Sequence, residues 1–233
     1  MRFLFCFLVA VIMLPSVIFS QTINKLTSKE KRKGWVLLFD GESTNGWTST
    51  SSKPVPKGWE ISNGAITATK GGKGGDIITE TEYSNFDLYL DYNIEPECNS
   101  GVKYFFTKYE KGGNLGMEYQ ILDDKLAEDN KKENHLTGSF YDVLPPLESK
   151  KRVNDPGQWN TIRIRAKGKH VEHWLNGVKI LEYDRGSKGY TDAVALSKFS
   201  KASPAFGMVE KGHIMLQEHG GLVSFRNIKI KSL

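Results

Sequence analysis

The stretch Gly116–Asp124, GMEYQILDD, is where residue types and spacing in this 233-residue chain come closest to chemistry. At the two-residue period of a β-strand, Glu118 and Gln120 point to one face and Met117, Tyr119 and Ile121 to the other. If the apolar set fills a core, a carboxylate and a carboxamide project from the opposite sheet surface, as a concave active site requires. Asp123 follows at an odd offset and rejoins the Glu118 face only where the strand bulges or ends. The competing reading is a half-exposed strand with ordinary polar side chains. A second stretch, Ile214–Gly221 (IMLQEHGG), puts Met215, Gln217 and His219 on one face and Ile214, Leu216 and Glu218 on the other. An imidazole with an ordinary pKa of about 6.5 exchanges protons near neutrality, so His219 is the natural proton carrier of the set. A single histidine at a strand end is as readily structural, but the two glycines after it suit a backbone that closely approaches another group.

Other chemistries find less support. Lys70–Gly75 (KGGKGG) lacks the Gly-Lys-Ser/Thr ending and following helix of a phosphate loop. Ser139 lacks a nucleophile elbow, and no base is implied near Cys98. The five histidines form no metal-ligand spacing; His170 and His173 fall on opposite faces of a strand. Asn99-Ser100-Gly101 is a turn entering a strand, able to orient polar groups or simply to turn the chain.

The elements that must position these residues are strands. Gly34–Asp40, Trp59–Ile61, Ala65–Thr69, Asp76–Thr79, Phe86–Ile94, Gly101–Thr107, Gly116–Leu122, Trp159–Lys167, His170–Leu175, Val178–Tyr183, His213–Glu218 and Val223–Lys231 are short, rich in β-branched or aromatic residues, and bounded by turn formers. Asn63-Gly64 and Asn176-Gly177 are hairpin signals, and Trp159–Tyr183 reads as an antiparallel meander. Phe86, Leu88, Leu90 and Tyr92 form a core face; Arg163, Arg165 and Lys167 form a solvated one. Helical periodicity is confined to a short amphipathic turn at Leu26–Lys33, and Asp123–Asn134 reads as a loop or short exposed helix. The architecture expected is all-β: one domain of two antiparallel sheets packed face to face, a sandwich or jelly roll.

Met1 and Arg2 precede an apolar run from Phe3 to Phe19 that ends at Ser20, which reads as a secretory signal peptide over residues 1–20. A membrane anchor is the competing reading, but the run is short of the roughly 20 residues of a span and contains Pro15. A lead segment (21–33) and the β-domain (34–233) follow. With the leader removed, Cys98 is the sole cysteine of the two in the sequence, so no internal disulfide forms. Export without disulfides suits a bacterial periplasm or the exterior. Loss of Arg2 lowers the net charge from +5 to +4, too little basicity for a nucleic-acid partner, and the basic runs at Lys29–Lys33 and Lys150–Arg152 read as solvated surface.

Val36–Trp47 (VLLFDGESTNGW), Gly75–Phe86, Asn99-Ser100-Gly101, Glu118–Asp123 (EYQILD), Thr137–Pro146 (TGSFYDVLPP), Trp159-Asn160, His173–Gly177 (HWLNG), Gln217–Gly220 (QEHG) and Phe225–Ile228 together resemble the 3-keto-disaccharide hydrolase domain family, also described as 3-keto-glucoside lyases and 3-keto-2-hydroxy-glucal hydratases. The resemblance implies a concanavalin-A-like jelly roll and a secreted bacterial enzyme acting on small glycosides, with no nucleic-acid partner and no membrane association after leader cleavage. Glucanases of this architecture carry a Glu-x-Asp-x-x-Glu strand; Glu118-x-Gln120-x-x-Asp123 has a similar spacing but lacks the middle acid, which weakens a two-carboxylate retaining mechanism. On a 3-keto-glycoside, Glu118 or His219 then serves as base or acid, and Gln120 and Gln217 orient hydrogen bonds. Asp123 tunes the histidine or binds a divalent metal, and Asn99, Tyr104, Tyr141 and Trp174 shape the sugar site. A conventional glucanase and a non-catalytic sugar-binding module are the alternatives.

Overall fold

Alternating apolar and polar residues in short runs between turns favour antiparallel strands with one buried face. A computed structural model describes residues 22–51, 53–71, 74–203 and 205–233; the expected leader lies outside them. In chain order the strands are β1 (Val36–Leu37), β2 (Trp47–Ser49), β3 (Trp59–Ser62), β4 (Ala65–Ala68), β5 (Ile77–Tyr83), β6 (Phe86–Ile94), β7 (Asn99–Tyr109), β8 (Gly113–Leu122), β9 (Asn160–Lys167), β10 (His170–Leu175), β11 (Val178–Asp184), β12 (Gly212–Leu216) and β13 (Val223–Ser232). One sheet runs β11-β10-β9-β6-β13-β4-β3, with β1 also on β13; the other runs β2-β5-β12-β7-β8, and every pairing is antiparallel. This is the two-sheet jelly-roll sandwich expected from the pattern of strands.

Local chemistry sets the turns. Asn63 and Asn176 have φ of 51° and 46°, and the glycines after them 72° and 82°, which gives the primed hairpin turns that match strand twist. A helix, α1 (Ser28–Arg32), starts in a capping box: the Thr27 side chain accepts from the Glu30 amide and Glu30 returns the bond to the Thr27 amide. The expected strand Gly34–Asp40 shortens to β1, and beyond its end the Asp40 carboxylate accepts from the amides of Glu42 and Ser43 and turns the chain. A second helix, α2 (Lys188–Leu196), capped by Ser187, was not foreseen: it interrupts an all-β pattern and buries only Tyr190.

The core fills from both sheets. Phe86, Leu88, Leu90, Tyr92, Ile162, Ile164 and Ala166 of one sheet meet Val102, Tyr104, Met117, Tyr119 and Ile121 of the other, all without solvent exposure. Each large side chain so buried contributes roughly 1.5–3 kcal/mol. Outside the first sheet, Asp87 takes a bidentate contact from Arg163 at 2.6 and 2.7 Å, so the expected solvated face is partly covered. His173 stands inside the core, on the face opposite His170: its Nδ1–H donates to Gly138 O at 2.9 Å and its Nε2 accepts from the Tyr104 hydroxyl at 2.8 Å, while Tyr104 also meets the Tyr183 hydroxyl. Burial holds His173 near a pKa of about 4, so it is neutral at pH 7.

The bond from His173 ties down a segment that matters to the site. Residues 137–144 run along the free edge of β8: Gly138 N donates to Gln120 O, Gln120 N to Ser139 O, and Tyr141 N to Glu118 O. Covering an edge strand in this way blocks edge-to-edge pairing and fixes Tyr141 beside Glu118.

Candidate functional site

The outer face of the five-stranded sheet carries the site, and the register arranges it in rows. In the first row, Ile78 of β5 is opposite Met215 of β12, Met215 opposite Lys103 of β7, and Lys103 opposite Glu118 of β8. Ile78, Met215 and Phe106 form a small apolar cluster at one end of this face. The second row is Asp76, Gln217, Gly101 and Gln120: Gly101 is opposite Gln120, the Gln217 amide donates to Gly101 O, and Asp76 Oδ1 accepts from the Glu218 amide at 2.9 Å. Beyond it Asn99 and His219 open onto a cleft of about 600 Å³, lined also by Glu97, Glu128, Asp129, Tyr141 and Gly221.

Glu118 is the buried charge of this face, only 5% exposed. Burial pushes its carboxyl above the ordinary glutamate range, against the pull of Lys103, whose ammonium lies 3.5 Å from Oε2. Gly101 makes room for it: a Cβ there would stand 2.5 Å from Glu118 Oε1. The Gln120 amide sits 3.2 Å from Asn99 at one end and, with its NH2 group turned toward Glu118 and Ser100, donates to Glu118 Oε1 and Ser100 O at 3.2 Å each. Gln217 Oε1 is buried without a hydrogen-bond partner among the described residues. Such an orphaned acceptor costs free energy unless a ligand supplies a donor.

The cleft wall is a polar cluster. His135 lies between Asp129 and Asp142, at 2.8 Å from Nδ1 and 2.9 Å from Nε2. Tyr141 donates its phenol to Asp129 at 2.8 Å. The Tyr141 ring packs on His135 at 4.6 Å, and the Lys198 ammonium stands 4.2 Å from its centroid. With its proton committed to Asp129, Tyr141 offers a hydrogen-bond acceptor to the cleft.

Of the residues expected from sequence, Glu118, Gln120 and Gln217 share this sheet face, and Asn99, Tyr141 and His219 line the adjoining cleft. Three do not join them. Tyr104 is fully buried between the sheets, because it has the parity of Val102 and lies in the core beside His173. Trp174 is on the outer face of the opposite sheet, with Arg163 over its ring at 5.2 Å and its indole N–H donating to Glu172. Asp123 ends β8 as a turn cap: Oδ1 accepts from the amides of Lys125 and Leu126, and Oδ2 from that of Glu97. Both oxygens of this carboxylate are engaged by the chain's own amides rather than by His219.

Among the described residues, one set of histidine and carboxylate donors gathers closely enough to suggest a divalent ion, and it does not fit one. His170, Glu172 and Glu182 approach one another on the far sheet, but the Lys179 ammonium already lies among them, 3.5 Å from Glu172 and 2.5 Å from Glu182.

Sequence reasoning missed Asp76, Lys103, Asp129, His135 and Lys198. Lys103 had a signal: it is the outward residue between Val102 and Tyr104. The others depend on strand order and loop placement that period alone does not give.

Known proteins place these features. Residues 34–231 match the family of 3-keto-alpha-glucoside-1,2-lyase-like domains. A 3-keto-disaccharide hydrolase of Bacteroides thetaiotaomicron is 32% identical, with 86% of this chain and 79% of that protein covered. A crystal structure from Parabacteroides distasonis, of a protein assigned as a candidate glycosyl hydrolase, superposes with a TM-score of 0.81 at 34% identity, over 91% of this chain and 99% of that one. An endo-β-1,3(4)-glucanase of family GH16 shares the fold alone, at a TM-score of 0.50 and 10% identity over 84% of this chain and 94% of that one. The match spans almost the whole β-sandwich, from β1 into β13, and on that ground the chain belongs to the 3-keto-alpha-glucoside-1,2-lyase-like domain family.

Proposed function

We propose that the protein is a carbohydrate-active enzyme that cleaves 3-keto-glycosides with net hydrolysis, through C2 proton abstraction, elimination and hydration. The observation that carries this reading is the buried Glu118 carboxyl on an outer sheet face, held above the usual range by burial and set against the Lys103 ammonium. A desolvated carboxylate with a raised pKa is a competent general base near neutrality. A carbonyl at C3 acidifies the C2 hydrogen, and Glu118 removes it to leave an enolate. Lys103, beside Glu118, supplies positive charge where negative charge develops. The enolate re-forms the C3 carbonyl as a C1–C2 double bond forms and the glycosidic oxygen departs from C1. Water then adds at C1 and the proton returns to C2.

In this reading Gln217 and Gln120 hold the sugar hydroxyls, the orphaned Gln217 oxygen accepting from one of them. Asn99, Tyr141 and His219 contact the portion of the glycoside lying in the cleft. Residues 1–20 serve as the export leader, and the mature enzyme works in the periplasm or outside the cell; the basic start and apolar run of that segment support this placement.

The test is to offer native and 3-oxidised disaccharides side by side. Turnover of the 3-keto sugar alone is expected. Cleavage of the unoxidised sugar favours a conventional glucanase, and binding without turnover of either favours a sugar-binding module.

A further inference from the structure

Elimination needs two proton carriers, and the preceding reading names only one. When Glu118 takes the C2 proton, the departing C1 oxygen of a sugar aglycone needs a proton, because an unassisted alkoxide is a poor leaving group. A second group with a proton to give should share the sheet face with Glu118 and stand across the substrate from it.

Asp76 occupies that position. It immediately precedes β5 and shares parity with Ile78 of the outer cluster, whereas Ile77 is in the core. It opens the second row at the opposite end from β8, so its backbone and that of Glu118 are separated by three strand spacings across the sheet and two residues along it, about 16 Å. Glu118 lies over Gly101, which has no side chain to obstruct it, and the floor left between the two carboxyls is Gln217. The Glu218 amide holds Asp76 Oδ1 in place; Oδ2 has no hydrogen-bond partner among the described residues. Asp76 is half-buried, and burial raises its carboxyl above the ordinary aspartate range. Lys103 favours the charged form of each carboxyl and His219 acts on Asp76 in the same sense, whereas the Glu218 charge opposes ionisation of Asp76 and the Asp76 charge opposes ionisation of Glu118, so the two like charges on this face favour holding one proton between them.

We propose that Asp76 is the second catalytic carboxyl, the acid that protonates the departing glycosidic oxygen. This rests on the 3-keto-glycoside reading. In the elimination, Glu118 gains the C2 proton, the C1–O bond breaks with its electron pair on oxygen, and Asp76 gives that oxygen its proton. In the hydration, Asp76 as carboxylate takes a proton from the water that bonds to C1, and protonated Glu118 returns one to C2. Both carboxyls end as they began, and the net change is hydrolysis.

The experiment compares leaving groups. Wild type, Asp76→Asn and Glu118→Gln are each assayed on a 3-keto disaccharide and on a 4-nitrophenyl 3-keto-glucoside, whose phenolate needs no proton to depart. Asp76→Asn should lose about 10²–10⁴-fold in kcat/KM on the disaccharide and less than about tenfold on the aryl glycoside, whereas Glu118→Gln falls on both. Asp76→Glu, which keeps an acid, should recover disaccharide cleavage and serves if the amide variant does not fold. Equal losses of Asp76→Asn on both substrates, no loss on either, or leaving-group selectivity in Glu118→Gln instead would overturn the assignment. A wild type inactive on both 3-keto substrates would overturn the parent reading and, with it, this one.

Discussion

At the scale of the residue, the site is governed by one desolvated carboxylate and the charges permitted near it. Burial raises the Glu118 carboxyl above the ordinary glutamate range, and Lys103 at 3.5 Å pulls the other way. Lys103→Met should therefore raise the Glu118 pKa further, since the ammonium favours the ionised form. An opposite charge at this range is worth one to three pH units, so the acid limb of kcat/KM should move upward by about one unit or more. A pH–rate profile of the variant beside wild type checks this; an unmoved limb shows that Lys103 does not set the base. The carboxylate and its amide neighbour were legible in the sequence because period-two parity is decided within a single strand. Asp123 was misread for a reason parity cannot see: its oxygens are used by three backbone amides at the end of β8.

At the scale of the element, position depends on what covers the edge of β8. The segment 137–144 is held on that edge by backbone bonds and across the core by His173, which must stay neutral to accept from Tyr104 while it donates to Gly138. Its folded pKa of about 4 lies below the unfolded value of about 6.5. Between these values the unfolded chain binds the proton and the native protein does not. Stability contributed by the neutral ring is thus fully present above pH 6.5 and is lost as the pH falls toward 4, by roughly 3 kcal/mol in total. Denaturant titrations at pH 7 and pH 4 should show wild type losing about that much more than His173→Gln; equal losses would contradict the buried neutral histidine. The same histidine shows what the sequence does and does not disclose: parity set it on the face opposite His170, but its partners come from the other sheet and a distant loop. Tyr104 was misplaced although its parity with Val102 already set it on the inner face opposite Lys103.

At the scale of the molecule, two antiparallel sheets bury one face each and leave the outer face of the smaller sheet for chemistry. The class of fold followed from strand length, turn dipeptides and alternation, whereas the order β2-β5-β12-β7-β8 did not, because it pairs strands far apart in the chain. That order brings Asp76, Gln217, Lys103 and Glu118 onto one surface, and it accounts for Asp76 having been missed, whereas Asp129, His135 and Lys198 depend on where loops settle. The account as a whole rests on Glu118 acting as the base toward a 3-keto-glycoside. Its most direct test is kcat/KM of Glu118→Gln on a 3-keto disaccharide, with folding verified by circular dichroism. The account predicts a loss of about 10²–10⁴-fold relative to wild type; a folded variant that retains wild-type kcat/KM would contradict it.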